Sequence, residues 1–533
     1  IDLAASWGAF APGSVPTHSL RSLSVDSSTG GATVNLTDGA TFTLLSDIRN
    51  AQADRVSFGA GIATFNATGT QNVRIAYDPV LDDTSWVNAN AIAKGVTIAA
   101  SRPIVIVDAS AAAKGTASFL GAAGLTSQWG TTYENALVRY SYVPVVSLSA
   151  DRKQILLTSI DILGNGSSTG SGSTTGTTTP PSSGSGTSTT PSGAGTGTGS
   201  KASTGGSTSS TPPTTPATST ATVTPSTGVL VAGDAALALA NVWQIDDQAV
   251  SRRSESGRLS QLSGASGVWV DTDTGDFTGQ SSEGRSYRQR RTQASFGAER
   301  TSEFDGGHNA LGLVYTHTQS HASLQNGSAD LRGDSIGVYD TWSSRQGVFA
   351  DAVARVGQLR NSYTSTDAFG STLGHYRPLA ASVSARAGWR YQADDGGYIE
   401  PQVQAAYGSI GSSSYVASDQ VHFDVSRNHT FLTRAGVLLG QAIARAASTT
   451  GDIYLRMSAV HSVSSRPNVT ASLDGGSVPV TLPSRHGTAG EVAAGVHVAL
   501  AGRWSVFAEA GQVSKSAAVA GGWRASAGVR ASF

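Results

Sequence analysis

The stretch at residues 523–533 reads WRASAGVRASF and changes character at every step. Trp523, Ala525, Ala527, Val529, Ala531 and Phe533 are apolar; Arg524, Ser526, Gly528, Arg530 and Ser532 are small or polar. Successive side chains of a strand point to opposite faces, so such a strand is greasy on one side and wet on the other. About eleven residues in that pattern suit a tilted crossing of a bilayer, with lipid outside and a polar lumen inside. One layer of a soluble sandwich would carry the same pattern, so the rest of the chain has to decide.

No apolar run reaches the eighteen or so residues that a membrane helix requires. If the chain enters a membrane it must therefore do so as a closed barrel, which leaves no backbone group unpaired. Charged residues are only 14% and Gly numbers 63, while the net charge of -1 gives no field that would favour nucleic acid. With no cysteine, disulfide and thiolate chemistry are excluded together. The opening IDLAASWGAF has neither a basic n-region nor an apolar h-region, so a processed product or a fragment of a longer protein is expected.

Four regions follow one another. Residues 1–162 are short β-rich runs separated by Gly, Asp and Asn, a spacing that suits either a β-sandwich or the rungs of a parallel β-helix. Residues 163–228 collapse into Ser, Thr, Gly and Pro, which cannot bury a core, so a disordered linker is expected. Residues 229–262 have Ala, Leu and Gln at helical spacing without proline, and their second half is basic at Arg252, Arg253 and Arg258. They read as one helix, or as two joined near Asp246 and Asp247.

From residue 263 onward twelve strands are expected, centred on 268–273, 287–299, 308–318, 334–342, 348–359, 376–391, 398–407, 431–444, 453–462, 491–500, 504–513 and 523–533. The seventh alternates well, with Ile399, Val403, Ala405 and Tyr407 against Tyr398, Glu400, Gln402 and Gln404. The second, rich in Arg288, Arg290 and Arg291, alternates poorly. Connections after strands four, six, eight and ten are short, and those after three, five, seven and nine read as long polar loops. Short turns on one side and long loops on the other, with an even strand count, are expected of an outer-membrane barrel and not of a sandwich. The fold expected is all-β: a twelve-stranded antiparallel transmembrane barrel with a pore helix, behind a β-rich passenger segment.

In this arrangement the chain resembles the autotransporters, the type V secretion family. The resemblance rests on GVWV at 267–270, FGAER at 296–300, SIGVYDTW at 335–342, GVFAD at 347–351, IEPQ at 399–402, LTRAG at 432–436, EVAAG at 491–495 and the terminal AGVRASF. Residues 1–162 resemble, less specifically, the C-terminal end of pertactin-like passengers, through FTLLSDIRNAQADRV at 42–56, IVIVDAS at 104–110 and YSYVPVVSL at 140–148. The family resemblance implies a translocator that exports its own passenger and anchors it at the surface of a Gram-negative bacterium. It also implies that Gly528 and Phe533 belong to an assembly signal, and that Trp129, Tyr140 and Tyr142 belong to the core of a folding cap. The partners implied are outer-membrane lipid, the barrel-assembly machinery and periplasmic chaperones, with the protein itself a monomer. An adhesin that keeps its passenger and binds host surface molecules, or a carrier of an enzyme lying upstream of Ile1, are the alternatives.

The lumen face supplies Asp351, Arg355, Glu400, Arg434, Arg456, Glu491, Glu509, Arg524 and Arg530. Arg252, Arg253 and Arg258 of the helix are expected to meet Glu400, Glu491 or Glu509, where restricted water strengthens charge pairs. Some family members cut their linker at an asparagine pair on the helix; here Asn241 is followed by Val242, so no catalytic residue is assigned and no enzyme is expected. His317 and His321 would lie about 13 Å apart on a strand and form no metal site. No cofactor is expected. Arg332-Gly333-Asp334 spells the tripeptide some adhesins present to integrins and reads as part of the loop before strand four, a candidate adhesion loop.

Overall fold

The computed structural model describes residues 20–75, 87, 89–112, 121–123, 133–165, 223–259, 266–281, 284–367, 370–446, 449–465, 467–473, 476–482, 485–500 and 503–533. Trp129 and the linker residues 166–222 lie outside the described residues.

The first region settles the choice between sandwich and β-helix. Ser22–Val25 pairs in parallel with Arg55–Phe58, Ala32–Leu36 with Ile62–Ala67, and Thr41–Leu44 with Thr70–Ile75. Each ladder joins residues about thirty apart, Ser22 with Arg55 and Thr41 with Asn72, which is one coil of a β-helix stacked on the next. Alternate side chains turn inward, burying Phe42, Leu44, Val56, Phe58, Phe65 and Val73. Each such burial is worth about 1.5–3 kcal/mol. Val96–Asp108, Gln154–Leu163 and Val138–Leu148 then pair antiparallel and end the stack. Tyr140 and Tyr142 are buried there.

Asn165 and Val223 stand on either side of residues 166–222, and the Val223 amide donates to the Asn165 Oδ1 at 2.6 Å. The two ends of the linker therefore meet. Thr224–Pro225 pairs with Val138 and Arg139 of the cap. A single helix, α1 (Thr227–Leu259), follows. Ser226 caps it, its Oγ accepting from the Val229 amide at 3.3 Å. The Glu134 carboxylate accepts from the Thr227 amide, which places negative charge at the helix's positive end. Nearly every side chain from Val229 to Asp247 is buried.

The barrel strands are β1 (Gly267–Gln280), β2 (Ser286–Phe304), β3 (Gly307–Leu324), β4 (Gly327–Ser344), β5 (Val348–Asp367), β6 (Gly370–Tyr376 and Leu379–Trp389), β7 (Gly397–Ile410), β8 (Asn428–Ala446), β9 (Thr449–Ser464), β10 (His486–Leu500), β11 (Trp504–Val513) and β12 (Gly521–Ser532). β6 is one strand interrupted at Arg377 and Pro378, because proline has no amide for the ladder. Each strand pairs antiparallel with its neighbours, and β1 with β12 closes the ring, so no edge is left open. The expected twelve strands are all present.

Side chains alternate as a membrane barrel requires. Leu311, Leu313, Ile336, Val356, Val383 and Val403 are exposed outside, while Ser, Gln, Arg and Glu are buried inside. Inward aromatics lie on glycines of the next strand: Tyr339 on Gly312, Tyr398 on Gly440, Tyr454 on Gly495 and Trp269 on Gly297. A Cβ at Gly440 would fall 2.1 Å from Tyr398 Cζ, so any side chain there would have to displace the ring.

Two expectations change. The segments after the third and fifth strands are not loops: β3 and β4 stay paired up to a tight turn at Gln325 and Asn326, and β5 and β6 stay paired up to Asp367 and Gly370. They read as loops because the strands continue above the lipid belt, where neither face needs to be apolar. The same reason explains β2, where Arg288 and Arg290 point out and Arg291 points in. Only the connections after β7 and β9 are long. They form a four-stranded sheet of Ser413–Val416, His422–Val425, Asn468–Leu473 and Gly476–Thr481, which packs over α1.

Candidate functional site

The site is the lumen and the helix inside it. From the long-hairpin end inward, Asp234 of α1 accepts from Ser281 and from Arg285 Nε at 2.8 Å. Two barrel amides reach helix carbonyls: Asn361 to Ala235 at 3.0 Å and Gln289 to Ala238 at 3.1 Å. Asn241 donates to Gln289 at 2.7 Å, and Gln244 to Ser462 at 3.1 Å. Trp243 lies under the Arg355 guanidinium, 4.6 Å from its ring centre.

The charged level comes next. Arg291, with its side chain fully buried, sits between Asp246 of the helix at 2.7 Å and Asp273 of β1. Thr318 donates to the other Asp246 oxygen at 2.8 Å. Asp247 accepts from Ser382 at 2.7 Å and stands 3.8 Å from Arg355. The helix thus offers carboxylates to lumen arginines. An aspartate in an otherwise apolar helix was the signal for this, since a buried charge persists only when paired.

The lumen glutamates take partners from the barrel itself. Glu400 pairs with Arg390 at 2.7 Å. Glu491 pairs with Arg434 at 2.9 Å and Arg524 at 2.6 Å, and Glu509 with Arg524 at 2.6 Å and with Arg456. Glu491 and Glu509 are therefore brought together by Arg524, while Glu400 lies apart with its own arginine. The side chains of Arg252, Arg253 and Arg258 lie outside the described residues. Farther toward the short turns, Trp269 donates to Tyr339 at 2.8 Å, Tyr339 to Glu299 at 2.7 Å, and Arg530 to Glu299 at 2.7 Å. This chain gives the GVWV stretch its role: its tryptophan ties β1 to β4.

Other sequence candidates fall elsewhere. Gly528 faces the lumen beneath Phe507, and Phe533 is exposed with its amide bonded to the Ser266 carbonyl at 3.0 Å. Arg332-Gly333-Asp334 lies within β4, not in a loop: Arg332 points outward, Gly333 faces inward, and Asp334 accepts from Tyr315 at 2.9 Å. The tripeptide is held extended in a paired ladder, which corrects the loop reading. His317 and His321 each face a different aspartate, Asp334 and Asp330, both at 2.8 Å.

The sequence profile of the family described as "Autotransporter beta-domain" matches residues 268–511, from β1 through most of β11. The barrel is an autotransporter β-domain. The chain is similar to the pertactin autotransporter of Bordetella parapertussis, with 26% identity over 56% of this chain and 32% of that protein. It is similar to the serine protease sat autotransporter of Escherichia coli, with 27% identity over 35% of this chain and 14% of that protein. The chain therefore spans a third or less of these relatives. Among solved structures, the β domain of the Bordetella autotransporter BrkA is 22% identical over 50% of this chain and 100% of its own, with a TM-score of 0.43. As an autotransporter β-domain, the barrel resides in the outer membrane of a Gram-negative bacterium and serves type V secretion.

Proposed function

We propose that this β-domain carries its own passenger outward and that α1 then stays behind as the plug of the pore. The helix filling the lumen, with Asp246 and Asp247 among Arg291 and Arg355, is the observation that carries the reading. A helix of this diameter, about 10 Å with side chains, suits the bore of a barrel of this size. At 33 residues it would be about 50 Å long, enough to cross a lumen in a hydrocarbon layer of about 30 Å. The chain performs no catalysis in this reading. Its partners are outer-membrane lipid, the assembly machinery reached through the Gly528 and Phe533 end, and periplasmic chaperones, and it acts as a monomer.

Single-channel conductance in planar bilayers tests the plug. Removing residues 227–247 should turn a nearly silent barrel into an open, weakly selective pore. A deleted barrel that conducts no more than the intact one would refute it. The packing of residues 133–165 on the helix's start favours a passenger that stays attached, as an adhesin at the cell surface would require.

A further inference from the structure

Three arginines stand side by side on the outer wall just above the lipid belt. Arg332 of β4 is directly opposite Arg360 of β5. Asn361 pairs with Tyr376, and the Leu359 amide donates to the Pro378 carbonyl at 2.9 Å, which places Arg377 of β6 opposite Arg360. All three are exposed and point outward. Neighbouring strands lie about 4.8 Å apart, so the row spans about 10 Å. Like charges directly opposite one another destabilise a sheet, and this row sets three of one sign side by side.

None of the three takes a hydrogen bond or salt bridge among the described residues. The acids nearest on the same face, Asp330 and Asp334, are engaged by His321 and His317, and Tyr315 also donates to Asp334. Asp334 senses Arg360 only through space. The row therefore presents a concentrated positive edge to whatever lies outside the barrel.

Directly beneath it the wall is apolar and grooved. Ile336, Val356 and Leu379 are 62%, 55% and 69% exposed, and with Ala381 and Tyr315 they line a groove of about 650 Å³ that Arg427 also borders, as does Asp334, held by His317 and Tyr315. It continues down the wall into a second groove of about 820 Å³ lined by Leu313, Val338 and Val383. Cationic row above, apolar trough below, in the outer-leaflet half of the barrel: this matches an amphiphile with clustered phosphates and several acyl chains.

We propose that Arg332, Arg360 and Arg377 form a binding site for lipid A, the phosphorylated glycolipid of lipopolysaccharide, whose acyl chains lie in the groove below. Guanidinium forks bind phosphate bidentately, and a bound phosphate would turn the like-charge repulsion of the row into attraction. A phospholipid of the inner leaflet carries one phosphate and would span one arginine rather than three.

The test uses the full chain purified in detergent and three probes: bisphosphorylated lipid A, the same lipid A with both phosphates removed, and phosphatidylglycerol. The readouts are the heating midpoint at which the folded barrel loses its compact mobility on gels, and bound lipid by native mass spectrometry. Bisphosphorylated lipid A should raise the midpoint and remain bound, and the other two probes should do neither. The variant R332Q/R360Q/R377Q should assemble normally and bind lipid A at least tenfold more weakly, while R288Q/R290Q binds as the parent does. Should the triple variant fail to assemble, single substitutions should each weaken binding severalfold. Equal response to dephosphorylated lipid A or to phosphatidylglycerol, or undiminished binding by the substituted barrels, would overturn the assignment.

Discussion

Replacing Arg291 with methionine should unseat the helix. The guanidinium is fully buried and touches two carboxylates, Asp246 on α1 and Asp273 on β1. At this level the described carboxylates Asp246, Asp247 and Asp273 face the guanidiniums of Arg291 and Arg355. Removing Arg291 takes away the guanidinium that Asp246 and Asp273 share in a water-poor lumen. Breaking a buried pair from one side costs about 3–5 kcal/mol. Because about 1.4 kcal/mol is a factor of ten, the ratio of unseated to seated helix should rise by about two to three and a half orders of magnitude. Asp246→Asn is the milder partner change, since Arg291 keeps Asp273 and only a charge-assisted bond of about 1.5–3 kcal/mol is lost. The pair R291M/D246N should then cost less than the sum of the single changes, because the second substitution removes a carboxylate that the first left stranded. Open-channel probability in planar bilayers reads the effect directly. If R291M conducts as rarely as the parent, or if the two changes simply add, the charged level is not what holds the plug.

Gly440→Ala puts a methyl carbon against the Tyr398 ring and should lower the gel-shift midpoint by the equivalent of about 1–3 kcal/mol, with Y398A restoring much of it by making room. A site-specific protease target placed in residues 166–222 should be cut on whole cells without releasing the passenger, because Thr224–Pro225 stays paired to the cap on the far side of the cut. Appearance of the passenger in the supernatant at once, without denaturant, would refute that.

Much of the barrel was legible because lipid on one side and water on the other impose a two-residue rhythm that little else produces. Strand positions followed from it wherever the wall faces lipid, as in β7 and β12. The rhythm fails where the strands rise above the membrane. At Arg288 and Arg290 the outward face is polar as well, and around Arg332 the pattern is inverted, with Ala329 and Leu331 buried inside and Asp330 and Arg332 outside, so the lipid-facing rhythm is lost while the backbone ladder continues. The lumen was half legible. Glu400, Glu491 and Glu509 could be placed inside, but their partners depend on cross-strand register: Arg524 comes from the strand next to Glu509, Arg390 from just past the end of the strand next to Glu400, and Arg434 from two strands away from Glu491. The helix aspartates were the clearer clue to the plug, for an isolated acid in an apolar helix demands a cation nearby. The parallel ladders of residues 22–75 could not be told from a sandwich for another reason: stacking thirty residues apart needs no repeated sequence, only a repeated inward side chain.

One apolar core runs without a break from Phe42 in the parallel ladders, through Val229 to Val242 of the helix, to Val480 and Leu482 in the hairpin after β9. That continuity changes where the protein can be cut for engineering or recombined in evolution. Foreign cargo joined at the Ser/Thr/Gly stretch, the place that composition alone recommends, would discard the cap and strip apolar cover from the helix's first turns, along with the Glu134 contact at Thr227. Residues 20–165 should therefore stay with the barrel when cargo is exchanged, as part of its machinery rather than as part of its load.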